Sequence, residues 1–195
     1  MTEMNIAVPE PSRPLAASLG TSTTHPWFAL HIKSNFEKIA STILEAKGLE
    51  VYFPSFVQKK RWSDRIKAIE RPLFPGYLFC RFNPENRLPI LMTQGVFSIV
   101  GAAGMPSPVS EIEIRSIQKM VASGLALRPW PFQQVGQHVV IEKGPLAGTE
   151  GMILEFKNDY RLLVSIKLLQ RSVIAEIDAE TARATRPCTP RLRTN

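Results

Sequence analysis

Residues 71–79 read RPLFPGYLF, a stretch in which two prolines and a glycine interrupt an otherwise aromatic and aliphatic strand. Alternation divides its side chains between two faces, with Pro75, Tyr77 and Phe79 on one and Phe74 and Leu78 on the other. Pro75 lacks a backbone donor, so it belongs at a strand start or a sheet edge. One face must pack on helices. The second is then either covered by another layer or open to a partner.

The residues before this stretch alternate between strand and helix patterns. WFALHIK, residues 27–33, is aromatic-rich and alternating, so it predicts a strand. A helix should follow, opened by Ser34 and Glu37 at capping-box spacing and ended near Gly48. Its apolar face repeats at helical spacing through Phe36, Ile39, Ala40, Ile43 and Leu44.

The residues around and after RPLFPGYLF complete a small mixed domain. VYFPSFVQ, residues 51–58, predicts a strand broken by Pro54, and LFPGYLFCRF and VFSIVG predict two more. A short helix fits residues 84–94, and a longer one should begin at the capping box Ser110–Glu113. The resulting order, β-α-β-β-α-β-α, predicts an α+β domain with helices packed on an antiparallel sheet.

Composition changes at residues 123–134, SGLALRPWPFQQ, which predicts a linker. At least four short strands should follow within about 50 residues, and such spacing suggests a small β-barrel. We therefore divide the chain into a disordered tail (1–24), an α+β domain (25–122), the linker (123–134), a barrel (135–182) and a basic tail (183–195).

The amino-acid composition is typical of a soluble protein, with more basic than acidic residues. The chain has 195 residues, with 24 Lys and Arg against 17 Asp and Glu, which gives a net charge of +7. That charge favours polyanionic partners only weakly. Two distant cysteines, no secretory signal pattern and no long apolar run lead us to expect a monomer in the cytoplasm, without membrane contact.

Motifs for enzymatic chemistry are missing from the sequence. It has no phosphate-binding loop, no GxGxxG, no HExxH and no GxSxG. The three histidines, His25, His31 and His138, are scattered, so no metal site is predicted and we expect no cofactor. An enzyme with a dispersed site stays open as an alternative. It would show a concave pocket with strongly perturbed pKa values.

Four segments in the same order resemble the NusG family of transcription elongation and antitermination factors. They are WFAL (27–30), LFPGYLF (73–79), VFSIVG (96–101) and VGQHVVIEKGPLAGTEG (135–151). The resemblance covers about residues 26–180 and implies an N-terminal NGN domain, a linker and a C-terminal KOW domain, which is a small SH3-like β-barrel. It implies no enzymatic activity.

The resemblance also implies a surface for RNA polymerase. In the family, the region of RPLFPGYLF forms an apolar patch that grips the clamp helices of the polymerase. The corresponding candidates are Tyr77 and Phe79, flanked by Phe74, Pro75 and His31. The alternative, that these aromatic residues all belong to the core, stays open.

The segment QKKRWSDRIKAIERP, residues 58–72, carries six basic and two acidic residues, a net +4. It is either a solvated hairpin with its tip near Ser63 and Asp64 or a nucleic-acid contact through Arg61 and Trp62. In sequence-recruited relatives the junction after the first strand contacts the non-template DNA strand. By resemblance, the residues here are Lys33, Asn35 and Lys38.

The loop GPLAGTEG needs its glycines because the backbone turns tightly there. In KOW proteins the same loop borders a surface for RNA or protein, which makes Gly144, Pro145, Gly148 and Gly151 candidates. By resemblance, the second partner of this domain is Rho or the small ribosomal subunit. The β-branched strands predict a permanent β-domain and not the helical hairpin that some relatives adopt.

The chain looks closest to the specialised RfaH and UpxY types. Housekeeping NusG typically has an FGR-type segment where this chain has LLQR, residues 168–171. We expect an antiterminator that binds the polymerase clamp helices, suppresses pausing and termination, and recruits a second partner through its KOW domain. The alternatives are a housekeeping NusG and a KOW-type RNA- or ribosome-binding protein without polymerase contact.

Overall fold

The computed structural model of the protein describes residues 25–61, 66–133, 137–156, 159–183 and 185–187. The predicted tails are largely outside this part of the chain, as is the predicted hairpin tip at Ser63 and Asp64. The first part of the chain, which we call the N-terminal domain, is defined by its elements. They are β1 Trp27–Ile32, α1 Glu37–Ala46, β2 Glu50–Tyr52, β3 Ser55–Arg61, β4 Ile66–Pro72, β5 Tyr77–Arg81, a 3-10 turn Pro84–Asn86, α2 Leu88–Leu91, β6 Val96–Ile99, β7 Gly101–Ala102, β8 Met105–Pro106, β9 Pro108–Val109 and α3 Glu111–Ala122.

The centre of this domain is an antiparallel sheet in the order β2-β5-β1-β6, with β9 also paired to β1. β1 and β5 are in register, so that Ala29 lies opposite Phe79 and His31 opposite Tyr77. Strands β3 and β4 form a separate two-stranded hairpin. The predicted α+β domain is confirmed.

The two faces of the sheet carry different apolar clusters. One face, with Leu30, Ile32 and Leu78, packs on Ala40 and Leu44 of α1. The opposite face belongs to a second cluster, to which the N-terminal domain contributes Trp27, Ala29, Leu73, Phe74, Phe79, Val109, Ile114, Ile117 and Met120. The second face is therefore apolar and buried as well.

Arg81, the last residue of β5, holds the start of helix α3 against the sheet. The Nη2 atom of Arg81 lies 2.7 and 2.8 Å from the two carboxylate oxygens of Glu111, in the first turn of α3. Its Nε atom lies 3.3 Å from Glu50, and its guanidinium lies 4.7 Å from the Trp27 ring centre. A charge-assisted contact and a stacked guanidinium together fix where the helix begins.

The two predicted capping boxes do not form. The N-cap of α1 is Phe36, and neither Phe36 nor Ser110, the N-cap of α3, makes a side-chain capping bond. Glu37 instead accepts a bond from the Gly76 amide, and Glu113 contacts Lys167. The two glutamates therefore contact residues distant in sequence and do not form the local capping bonds that the spacing predicted.

The C-terminal part is a six-stranded antiparallel sheet. Its elements are β10 Leu127–Pro131, β11 Gln137–Ile141, β12 Glu150–Phe156, β13 Asp159–Ile166, a 3-10 turn Lys167–Leu169, β14 Arg171–Ile177, α4 Ala179–Arg183 and β15 Thr185–Pro187. The order is β10-β14-β13-β12-β11-β15, and we call this unit the C-terminal sheet. The prediction of a β-rich C-terminal domain rather than a helical hairpin is confirmed.

Both edge strands of the C-terminal sheet lie in segments for which the sequence predicted no strand. β10 falls within the predicted linker, and β15 within the predicted basic tail. Pro129 and Pro131 suggested a break, but a proline is tolerated on an edge strand because one side of that strand needs no ladder bond. Among the described residues, no helix is long and apolar enough to span a bilayer.

Candidate functional site: an aromatic patch beneath the C-terminal sheet

The loop that precedes β5 sets the position of the candidate patch. Pro75 and Gly76 form a turn, closed by a 3.0 Å bond from the Tyr77 amide to the Phe74 carbonyl. Gly76 has a φ of +81°, and a proline followed by a glycine with positive φ is the signature of a type II turn. Strand β5 therefore begins at Tyr77, and the alternation predicted across Phe74 is wrong because the turn interrupts it.

Three aromatic rings form a row at one end of the sheet. The Tyr77 ring stacks on His31 at 5.4 Å between ring centres, and His31 lies 5.5 Å from Phe97. The pairing of β1 with β6 shifts between His31 and Ile32, so Phe97 has no partner in the register. Such a bulge redirects a side chain, and it brings Phe97 to the face of His31. Phe97 is 63% exposed, and we call these three residues the aromatic row.

Sequence reasoning named His31 and Tyr77 but missed Phe97. The segment VFSIVG was recognised as a strand, and strict alternation gives no sign of a bulge within it. The exposure of a large aromatic side chain is also invisible in the sequence. The structure thus adds one residue to the candidate surface.

The other aromatic candidates are buried. Phe74 and Phe79 are both 0% exposed and meet edge-to-face at 5.6 Å, whereas Pro75 is exposed in the turn. In this conformation Phe74 and Phe79 are therefore core residues, which is the alternative that the sequence left open for them. The physical reason is a covering layer, because the same apolar cluster continues into the C-terminal sheet.

The C-terminal sheet contributes one of its faces to this shared cluster. Its members in the cluster are Leu127, Ile141, Leu146, Leu162, Val164, Ile166, Val173 and Ala175. They join Ile114, Ile117 and Met120, which α3 contributes from the N-terminal domain. Burying one such aliphatic side chain stabilises a contact by about 1.5–3 kcal/mol. The two domains are therefore docked through an apolar interface.

Polar contacts border this interface. Lys119 Nζ donates to the Ala147 carbonyl at 2.6 Å, and the Glu150 amide donates to Ser116 Oγ at 3.1 Å. On the opposite side, the Arg171 guanidinium lies 5.8 Å from the Tyr77 ring centre. The C-terminal sheet thus covers the buried aromatic residues and also reaches the edge of the aromatic row.

A cavity of about 810 Å³ lies between the first turns of α3 and the C-terminal sheet. Glu113 lines it, and burial there raises the pKa of its carboxyl above the ordinary value of 4.5, an effect that Lys167 partly offsets. The other titratable residues that line the cavity are His138, Glu150, Lys167 and Arg186. The described residues contain no cluster of three or more His, Cys, Asp or Glu side chains that could hold a metal ion.

The nucleic-acid candidates lie around the start of α1. Lys33, Asn35 and Lys38 are all exposed, and Asn35 has a φ of 65°. Lys33 lies 4.9 Å from the Phe36 ring centre, and Lys38 forms a 2.9 Å ion pair with Glu70. The Arg61 side chain and Trp62 are outside the part of the chain that the structure describes.

The glycine-rich loop faces α3. Gly144 and Gly148 have φ values of +81° and +74°, whereas Gly151 lies in β12 with an ordinary φ. A Cβ on Gly151 would come within 2.7 Å of the Leu163 carbonyl, so close strand pairing, not a turn, requires this glycine. Pro145 is exposed. Lys119 of α3 donates a hydrogen bond to this loop, and Ser116 of α3 accepts one from it.

The chain is similar in sequence to a family of known proteins. A family profile described as "Transcription termination factor nusG" matches residues 25–118. A transcription termination/antitermination protein NusG of Lactococcus lactis is 28% identical over 167 residues, covering 78% of this chain and 89% of the relative. The protein of the same name from Staphylococcus aureus is 27% identical over 168 residues, covering 78% and 91%.

A solved structure shows a similar fold. It is described as "Domain interaction in Thermotoga maritima NusG" and covers 84% of this chain and 97% of its own, with 20% identity and a TM-score of 0.50. A transcription termination/antitermination factor is the class of protein that the profile and the relatives indicate. Residues 25–118 match the NusG family of transcription termination/antitermination factors, and the relatives of that name extend the similarity to 78% of the chain.

Proposed function

We propose that the chain is a specialised antiterminator whose N-terminal domain binds the RNA polymerase clamp helices, and whose docked C-terminal sheet restricts that binding. The observation that carries the proposal is the shared apolar cluster. Phe74 and Phe79, two candidate polymerase contacts, lie in the same cluster as Val164 and Val173 of the C-terminal sheet. A factor built in this way exposes its full polymerase surface only when its domains separate, so the population of the open conformation limits the apparent affinity.

The aromatic row is the part of the candidate surface that remains accessible. His31 and Phe97 are exposed and Tyr77 is half-buried, so an incoming helix can contact the row before the domains separate. Undocking would then add Phe74 and Phe79 to the surface. Binding the open conformation better than the docked one shifts the population without any chemical reaction.

The contacts of residues Leu168–Arg171 support the proposal of a specialised antiterminator over that of a housekeeping NusG. Leu168 and Leu169 pack against the shared cluster. Two residues at or next to the ends of this stretch contact the N-terminal domain. Lys167 contacts Glu113 on one side, and Arg171 lies over Tyr77 on the other. The residues that differ from the housekeeping pattern therefore participate in docking.

The remaining proposed partners come from the resemblance to the NusG family. The exposed Lys33, Asn35 and Lys38 are candidates for the non-template DNA strand, where basic side chains would contact phosphates. Rho or the small ribosomal subunit is the proposed partner of the KOW domain. Because the glycine-rich loop faces α3, that partner would gain access to the loop after undocking, and we expect it in the cytoplasm with the polymerase.

Binding of the full chain to purified RNA polymerase tests the proposal, with Tyr77→Ala and Phe97→Ala compared with the wild type. Each truncation should weaken binding by about tenfold, as expected for aromatic residues at the centre of an interface. Val57→Ala is a matched control, because Val57 is 64% exposed on the separate hairpin. Equal affinities for all four proteins would reject the patch. A strongly salt-dependent binding to RNA alone would favour the RNA-binding alternative.

A further inference from the structure

Glu37, the first residue of α1, carries a buried carboxylate. It is only 6% exposed, although it lies in the first turn of α1, where most acidic side chains are solvated. Among the ion pairs of the described residues, none includes Glu37. A buried charge needs a compensating partner, because leaving water is costly.

The partner is the backbone of the Pro75–Gly76 turn. Glu37 Oε1 accepts a hydrogen bond from the Gly76 amide at 3.0 Å, across 39 residues of sequence. The Gly76 carbonyl in turn accepts from the Ile32 amide of β1 at 2.8 Å. The peptide unit before the Gly76 Cα is thereby held by α1, and the peptide unit after it is held by the central sheet.

The orientation of the first of these peptide units distinguishes two turn types. In a type II turn the peptide between the second and third residues is flipped relative to type I. The Gly76 N–H points at Glu37 only in the orientation observed here, and a flipped peptide would turn it away. A charge-assisted bond is among the stronger hydrogen bonds in proteins, so the carboxylate selects one turn geometry.

The turn leads directly into the aromatic row. Tyr77 follows Gly76 and begins β5, and its ring stacks on His31 at 5.4 Å. We infer that Glu37 is a positioning residue for polymerase binding: it fixes the Pro75–Gly76 turn and thereby the direction of the Tyr77 ring. The inference rests on the proposed function, because it concerns the same surface.

Glu37 also lies where the α1 dipole favours a negative charge, so a merely structural role must be separated from positioning. Thr42→Gly is the matched control. Thr42 is exposed in the middle of α1, and glycine there weakens the helix without contacting the turn. Glu37→Gln is the conservative variant, because its amide oxygen can still accept a bond from Gly76.

The experiment compares Glu37→Ala, Glu37→Gln and Thr42→Gly in the full chain, with two measurements. Affinity for purified RNA polymerase should fall about tenfold for Glu37→Ala, about threefold for Glu37→Gln and less than twofold for Thr42→Gly. Hydrogen exchange of the Gly76 amide, followed by NMR, should accelerate in Glu37→Ala only. The same variants are then measured in a chain that also carries Lys119→Met, which loses a contact between the domains. If a variant changes polymerase affinity by altering docking, its effect should be smaller in that chain.

The outcomes are distinguishable. Unchanged polymerase affinity in a folded Glu37→Ala protein would overturn the positioning role, as would an equal loss in Thr42→Gly. Absence of polymerase binding by the wild type would reject the proposed function and with it the positioning role. In that case the Gly76 exchange rate would still show whether Glu37 holds the turn.

Discussion

The Arg171 guanidinium lies over the ring of Tyr77, 5.8 Å from its centre, and so joins the two domains at the edge of the aromatic row. Arg171 opens β14 of the C-terminal sheet, and Tyr77 opens β5 of the N-terminal domain. A cation over an aromatic face contributes about 0.5–1 kcal/mol at an exposed site. The contact is weak enough to be exchanged for a partner, and the apolar cluster behind it supplies most of the docking energy.

Loss of the Lys119 contact should favour the open conformation. Lys119→Met removes the bond to the Ala147 carbonyl but keeps a flexible apolar side chain. A bond from a charged donor is worth about 1.5 kcal/mol, so polymerase affinity should rise by up to about tenfold. Titration of labelled polymerase with the full chain measures this change.

Lys47→Met is the matched control for that prediction. Lys47 Nζ also donates to a backbone carbonyl, that of Pro89 at 2.7 Å, but both residues lie within the N-terminal domain. Its loss should leave polymerase affinity unchanged. A gain in affinity in both variants, or in neither, would argue against a docked sheet that limits binding.

Docking should weaken as the pH rises from about 4.5 towards neutrality. Burial raises the pKa of Glu113 in the docked state, so that state binds the proton more tightly than an open state in which the carboxyl has its ordinary pKa. Below the ordinary value of 4.5 the carboxyl is protonated in both states and imposes no penalty. Above the raised pKa it is ionised in both, and the full penalty opposes docking.

Fluorescence energy transfer between labels on the two domains can follow this pH dependence. Glu113→Gln removes the charge with little change of shape, so it should favour docking at neutral pH and flatten the pH profile. His138 and Glu150 line the same cavity and are unchanged in the variant. A profile that is identical in the wild type and in Glu113→Gln would show that another group is responsible.

Two glycines of the same loop should respond differently to alanine. At Gly151 a Cβ would come within 2.7 Å of the Leu163 carbonyl, and overpacking against backbone costs about 1–3 kcal/mol. At Gly144 nothing lies within 4 Å, and the φ of +81° alone costs about 1 kcal/mol. Thermal unfolding should therefore show a larger loss for Gly151→Ala. The reverse order would contradict the close pairing of β12 with β13.

Much of the fold could be predicted because local patterns and tertiary packing agree. The helical spacing of Ile114, Ile117 and Met120 predicted α3, and the alternation in WFALHIK predicted β1. The predictions that were wrong concern features that depend on contacts between residues distant in sequence. Glu37 and Glu113 have capping-box spacing, but each found a partner in another element.

The docked arrangement lay beyond sequence reasoning for a similar reason. An apolar face that packs on a helix and one that packs on a second domain have the same periodicity, so the residues around Phe79 could not reveal which layer covers them. The bulge that exposes Phe97 depends on the register between β1 and β6, which a single sequence does not specify.

A reversible lock between the domains tests the central claim most directly. Ser116 and Glu150 are in direct contact across the interface, with 3.1 Å between Ser116 Oγ and the Glu150 amide nitrogen, so we choose these two positions for a cysteine pair. Cys188→Ser removes one native thiol. Burial raises the pKa of Cys80 to about 12, so that thiol stays protonated and unreactive.

The measurement is polymerase binding by the Ser116→Cys, Glu150→Cys, Cys188→Ser chain, oxidised and then reduced, with each single cysteine variant as a control. We predict that the oxidised chain binds polymerase at least tenfold more weakly and that reduction restores the affinity. Equal affinity of the locked and reduced chains would contradict the account, because polymerase would then recognise a surface that docking leaves open.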